Sequence, residues 1–100
     1  MLTNAVCTVV RAYEGEYKII GNYPCMWQET ESYEVKKYGA ENADKAAIFI
    51  PGLSADIKKE DFIFKGEIAE INLNKALTVM SVTPCDYGSE DMHHLEVGAR

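Results

Sequence analysis

The stretch Leu77-Thr78-Val79-Met80-Ser81-Val82-Thr83 decides the fold class. β-Branched residues dominate it and no charge interrupts it, the composition of a strand packed against a core. Pro84 is expected to end this strand, because proline cannot donate to a ladder. Asp86-Tyr87-Gly88-Ser89 then carries the residues of a turn. Beyond it, His93, Leu95 and Val97 alternate with His94 and Glu96, a period of two that predicts a last strand.

Upstream, Leu73-Asn74-Lys75 reads as a hairpin turn, and Phe62-Ile63-Phe64-Lys65-Gly66-Glu67-Ile68 as a strand that Gly66 bulges or bends. Residues 54–59 are expected to form one helical turn with Ser54 as N-cap. Ala46-Ala47-Ile48-Phe49-Ile50 is a strand stopped by Pro51-Gly52. Near the start, Val6-Cys7-Thr8-Val9-Val10 is a strand, and residues 11–15 a turn closed by Gly15. Tyr17 and Ile19 alternate with Glu16 and Lys18, and Gly21-Asn22 marks a second break. Tyr23, Cys25 and Trp27 then share one face of a strand that Pro24 starts at a sheet edge.

Residues 28–45 are mostly polar or small, with Tyr33 and Val35 alternating briefly, and read as one long loop with room for a short strand inside it. Counting these elements gives six to eight short strands in a single domain over residues 1–100. The expected fold is all-β, a small antiparallel β-barrel or sandwich with one long polar loop.

Composition sets the outer limits. One hundred residues bury about 65% of the unfolded surface, enough for one modest core. Ten Lys and Arg against sixteen Asp and Glu give a net charge of −6, the wrong sign for holding nucleic acid by its phosphates. The longest apolar run, residues 46–50, is far too short for a membrane span, and the first residues show no signal peptide. Cys7, Cys25 and Cys85 are an odd number with no CxxC spacing, which predicts free, buried thiols in a reducing compartment.

Side chains that could carry chemistry are few. His93 and His94 are neighbours, so in a strand they point to opposite faces and do not share a metal. Asp86, Glu90, Asp91 and Glu96 lack the spacing of a calcium loop and read as a solvated acidic face. Glu14 with Glu16, and Glu67 with Glu70, are carboxylate pairs without further glycosidase features. Tyr13, Tyr17, Tyr23, Trp27, Tyr33 and Tyr38 crowd the first forty residues; without a basic groove they read as packing residues. No nucleotide-binding, nucleophile-elbow or zincin motif is present. The expectation is a non-enzyme with no catalytic, cofactor-binding or metal residues and no cofactor.

Two stretches carry a resemblance. One is Ala47-Ile48-Phe49-Ile50-Pro51 followed by Lys58-Lys59-Glu60-Asp61-Phe62-Ile63-Phe64-Lys65-Gly66-Glu67-Ile68. The other is Leu77-Thr78-Val79-Met80-Ser81-Val82-Thr83, then Asp86-Tyr87-Gly88-Ser89, then Met92-His93-His94-Leu95-Glu96-Val97-Gly98. Their order resembles small minor structural proteins of tailed phages and prophages of Gram-positive bacteria, of the head–tail connector (head-completion or stopper) type. The pattern is an "IFIP" strand, a "D-x-I-x-K-G-E" strand, a "T-x-x-S-V" strand, a "D-Y-G-S" turn and an "H-x-x-V-G" strand. One departure stands out: Glu60-Asp61 occupies a position where relatives carry a Gly-Asp turn.

The resemblance implies a β-barrel subunit of a ring below the portal, joining head to tail and helping to retain DNA. Implied partners are portal or adaptor and tail-completion proteins, and other copies of the chain in a homo-oligomeric ring. DNA would be passing cargo only, with no membrane. The implied location is the virion, assembled in the bacterial host cytoplasm. A ring of n copies would carry about −6n charges, and a negative channel lets DNA slide without sticking. In that setting the long loop supplies the candidate assembly or channel residues Glu29, Glu31, Glu34, Lys36, Lys37, Glu41 and Asp44. Two other readings stay open. One is a generic OB-like or SH3-like adaptor with exposed aromatics beside Lys36, Lys37 and Lys65. The other is a small enzyme pairing Cys25 or Cys85 with His93 or His94.

Overall fold

The first strand, β1, covers Ala5–Tyr13 and shows how the barrel is made. Cys7, Thr8, Val9 and Val10 are all buried, so the strand is covered on both faces. In the computed structural model, which describes residues 2–29 and 45–100, five further strands follow: β2 (Glu16–Glu29), β3 (Ala46–Pro51), β4 (Phe62–Lys65), β5 (Leu77–Cys85) and β6 (His94–Ala99). Two short 3-10 turns, Leu73–Lys75 and Glu90–Met92, lie before β5 and β6. The strands pair in the ring order β1-β2-β3-β6-β5-β4 and close on themselves. Every pairing is antiparallel. The all-β antiparallel fold expected from the sequence is therefore observed, and of the barrel and the sandwich it is the barrel.

Alternation fills the interior. Ala46, Ile48 and Ile50 of β3 point inward, as do Leu95, Val97 and Ala99 of β6. They meet Cys7, Val9, Cys25, Trp27, Ile57, Ile63 and Val79 in one core. Asn4 continues the pairing beyond β1 with its side chain: its Oδ1 accepts from the Trp27 N–H at 2.8 Å and its Nδ2 donates to the Trp27 carbonyl at 3.3 Å.

Several boundaries differ from expectation, each for a physical reason. The first turn is only Glu14 and Gly15, both with positive φ (48° and 81°), a two-residue hairpin matched to strand twist. Residues 11–13, expected in that turn, belong to β1. Gly21-Asn22 is no break: β2 runs through it, with a register shift opposite Val9 and Val10 that leaves Ile20 as the extra residue of a bulge. Pro24 sits inside β2, not at its start; β3 pairs with β2 only from Met26 onward, so one side of β2 is open at the proline. Pro84 is likewise inside β5, whose β4 partnership is confined to Leu77 and Thr78.

The expected helical turn over residues 54–59 does not form. Instead Ile57 enters the core and the Asp61 carboxylate accepts from the Lys58 N–H at 2.8 Å. Strand β4 stops at Lys65, because Gly66 turns the chain with φ 91°. Leu73–Lys75 is a 3-10 turn, capped by Asn72 accepting from the Asn74 N–H, and not a hairpin turn. Gln28 and Glu29, expected in the long loop, end β2 opposite Ala47 and Ala46.

Candidate functional site

Of the seven loop residues singled out, Glu29 is placed at the last position of β2. Glu31, Glu34, Lys36, Lys37, Glu41 and Asp44 lie outside the described residues. Glu29 and Lys45 flank residues 30–44 at one end of the barrel, and the Lys45 N–H donates to the Ala99 carbonyl at 2.7 Å. At that end lies a depression of about 350 Å³, floored by Trp27 and Ile63 and rimmed by Glu29, Lys45, Lys65 and Lys75. Among the described residues, three ammonium groups stand against one carboxylate on this rim.

The other end carries an arm. Beyond Val10, β1 has no β4 partner, and β1 and β2 continue as a two-stranded ribbon. Tyr13, Tyr17 and Ile19 are each about half exposed there. Tyr17 meets Phe62 edge-on at 5.9 Å between ring centres, and the Lys18 ammonium lies 5.0 Å from the centre of the Tyr13 ring. The exposed tyrosines thus stand at the Phe62 end of β4, opposite the Lys65 end.

Arg11 fastens the arm to the β3–β4 connection. Its Nε and Nη2 donate to the two Asp61 oxygens at 2.9 and 2.8 Å, a bidentate fork. Nη2 also donates to Asp56 Oδ1 at 2.9 Å. Asp61 is buried, and these bonds together with the one from the Lys58 N–H satisfy it. The Arg11 hydrogen bond holds the Asp56 carboxyl below its ordinary range. No motif announces this clamp, since its members are 45 and 50 residues apart.

The cysteines divide into two groups. Cys7 and Cys25 are fully buried in the core, and the hydrogen bond with Cys25 followed by burial drives the Cys7 thiol far above its ordinary value. Cys85 faces His94 directly across the β5–β6 ladder. His94 Nδ1 lies 3.0 Å from the Met92 carbonyl oxygen, and its Nε2 lies 3.2 Å from Glu96 Oε1. The Met92 hydrogen bond and then Glu96 push the His94 pKa up. Burial, followed by Glu96, pushes the Cys85 thiol up, the opposite of what activates a nucleophile. His93 lies outside β6, as the residue closing the Glu90–Met92 turn. Alternation alone places His94 and Glu96 on one face; Cys85 is missed because Pro84 is read as a strand end.

The profile of a family of unknown function, DUF6751, matches residues 2–100, and the chain belongs to that family. No curated protein and no solved structure matches it.

Proposed function

We propose that this DUF6751 chain is a structural subunit of a tailed phage or prophage particle, a head–tail connector or head-completion protein that assembles as a ring. One observation carries the reading. The stretches that resemble such proteins fold as β3, β4, β5 and β6, which are consecutive neighbours in the ring order β3-β6-β5-β4. The resemblance therefore covers one continuous wall of the barrel. Glu60, standing where the pattern has glycine, takes the left-handed backbone that position calls for, with φ 79°.

The charge supports the same reading: −6 per copy suits DNA that passes and is not held. The exposed Tyr13, Tyr17 and Ile19 of the arm supply surface for a neighbouring copy to cover. Residues 30–44 remain the candidate contact with the channel or the next ring.

The test is genetic and morphological. Deleting the gene from an inducible genome that carries it should leave heads that lose DNA and tails that stay unjoined in electron micrographs. Normal yields of joined, infectious particles would overturn the proposal. A tight, salt-dependent complex with DNA in a gel shift would count against passing cargo.

A further inference from the structure

The outer face of the β5–β6 ladder brings three different metal-binding side chains to one point. Antiparallel pairing sets Cys85 opposite His94, and Glu96 follows two residues along β6 on the same face. One ligand atom from each, the Cys85 sulfur, a His94 ring nitrogen and a Glu96 carboxylate oxygen, lies within 4.8 Å of the others.

The histidine is already oriented. A carbonyl oxygen only accepts, so the 3.0 Å contact with Met92 fixes the hydrogen on Nδ1 of the neutral ring. That leaves the Nε2 lone pair facing Glu96 Oε1 at 3.2 Å. Two lone-pair atoms so placed need a cation between them, either a proton or a metal. A backbone carbonyl on the far nitrogen is the usual outer-shell partner of a metal-bound histidine. The 3.2 Å separation is also the edge of a tetrahedron with bonds of about 2.0 Å to nitrogen and oxygen. The sulfur-to-nitrogen edge of such a tetrahedron is about 3.5 Å, and with the ligand atoms no more than 4.8 Å apart the Cys85 side chain has at most about 1.3 Å to close.

We propose that Cys85, His94 and Glu96 form a binding site for a zinc-type divalent ion, with the fourth tetrahedral position left to solvent. Thiolate, imidazole and carboxylate together suit zinc better than calcium or magnesium, which take oxygen ligands. Binding expels the Cys85 thiol proton as the sulfur–metal bond forms. The ion would tie the end of β5 to the start of β6, where a connection of eight residues, 86–93, separates the strands. The site is independent of the assembly reading above, and its test uses the isolated protein.

Cobalt(II) titrated into the whole, reduced, metal-free protein should bind at one equivalent, with a thiolate-to-metal charge-transfer band and tetrahedral d–d absorption, and zinc should displace it. Cys85→Ser should abolish the charge-transfer band. His94→Ala should weaken binding by more than about 100-fold, since loss of a ligand exceeds the loss of an outer-shell partner. His93→Ala should leave binding unchanged. Zinc at a hundredfold excess over its Kd should raise the melting temperature by roughly 10 °C or more. Far-ultraviolet circular dichroism of each variant checks folding, and Glu96→Gln gives a milder substitution. An octahedral cobalt spectrum, a thiolate band that survives Cys85→Ser, or equal effects of the two histidine variants would overturn the proposal. A Glu96–His94 pair that holds only a proton would show as no cobalt binding, and would overturn it equally.

Discussion

In the base of the β1–β2 hairpin, Cys7, Thr8, Val9 and Val10 are buried on both faces; in its outer half, every residue from 12 to 19 is exposed. The two halves share strands and a ladder, so strand formation alone does not set their burial. The third strand does. β4 pairs with β1 over the base alone, from Cys7 opposite Lys65 to Val10 opposite Phe62. Where it stops, burial stops, and the Arg11 clamp takes over as the fastening. A strand's environment is thus set by a neighbour more than fifty residues away.

The comparison breaks most sharply at β4. Ile63 is fully buried and pairs with Val9. Ile63→Ala should cost about 2–5 kcal/mol in urea unfolding, a large share of the roughly 5–15 kcal/mol available to a small domain. A cost under about 1 kcal/mol would mean that the base does not depend on its third strand.

Asp61→Ala comes next. It removes three hydrogen bonds at a buried carboxylate and should cost about 2–3 kcal/mol. Amide exchange should speed up in the arm and in residues 56–61 more than in β3 or β6. Uniform acceleration would mean that the clamp belongs to the core and not to the arm.

Glu60→Gly has the opposite sign. Its φ of 79° strains a side-chain-bearing residue. Relief of about 1–2 kcal/mol, less roughly 0.5–1 kcal/mol for the freer unfolded chain, predicts a gain of about 0.5–1 kcal/mol. A loss on this substitution would refute the strained conformation.

Ile19→Ser, in the arm, should move stability by no more than about 0.5 kcal/mol. A larger cost would show the arm packed in the isolated protein. The smallest effect is acidic. Arg11 depresses the Asp56 carboxyl, so folding favours its ionised form. That contribution is present above the ordinary aspartate value of about 3.9 and fades as the pH falls through the lower folded value. Asp56→Asn should therefore be slightly less stable than the parent at pH 6 and equal to it in strong acid. A difference that persists in acid would assign the effect to something other than charge.

β3 and β5 were legible as apolar or β-branched runs without a charge, and β6 by its alternation of Leu95 and Val97 with His94 and Glu96. The prolines misled. Pro24 and Pro84 look like strand ends, and each lies in a strand open on one side; which side is open depends on ring order, which periodicity does not encode. The short polar run at residues 54–59 resembles a helical turn until Asp61 claims the Lys58 N–H and Ile57 turns inward. At the candidate metal site, His94 and Glu96 were legible as a pair on one face. The third member depended on reading β5 two residues further, through the proline to Cys85.

The ring order has a consequence for how the molecule is made. The last strand, β6, is wedged between β3 and β5, and the first strand closes against the fourth. No intermediate length of nascent chain holds a closed set of neighbours. At about 5–20 residues per second of synthesis, the apolar faces of β1, β3 and β4 wait several seconds for Leu95 and Val97 to emerge. The β1–β2 hairpin, joined by two residues, is the shortest-range pairing in the ring and needs no later strand. Closure of the barrel waits for β6, the strand that joins β3 to β5.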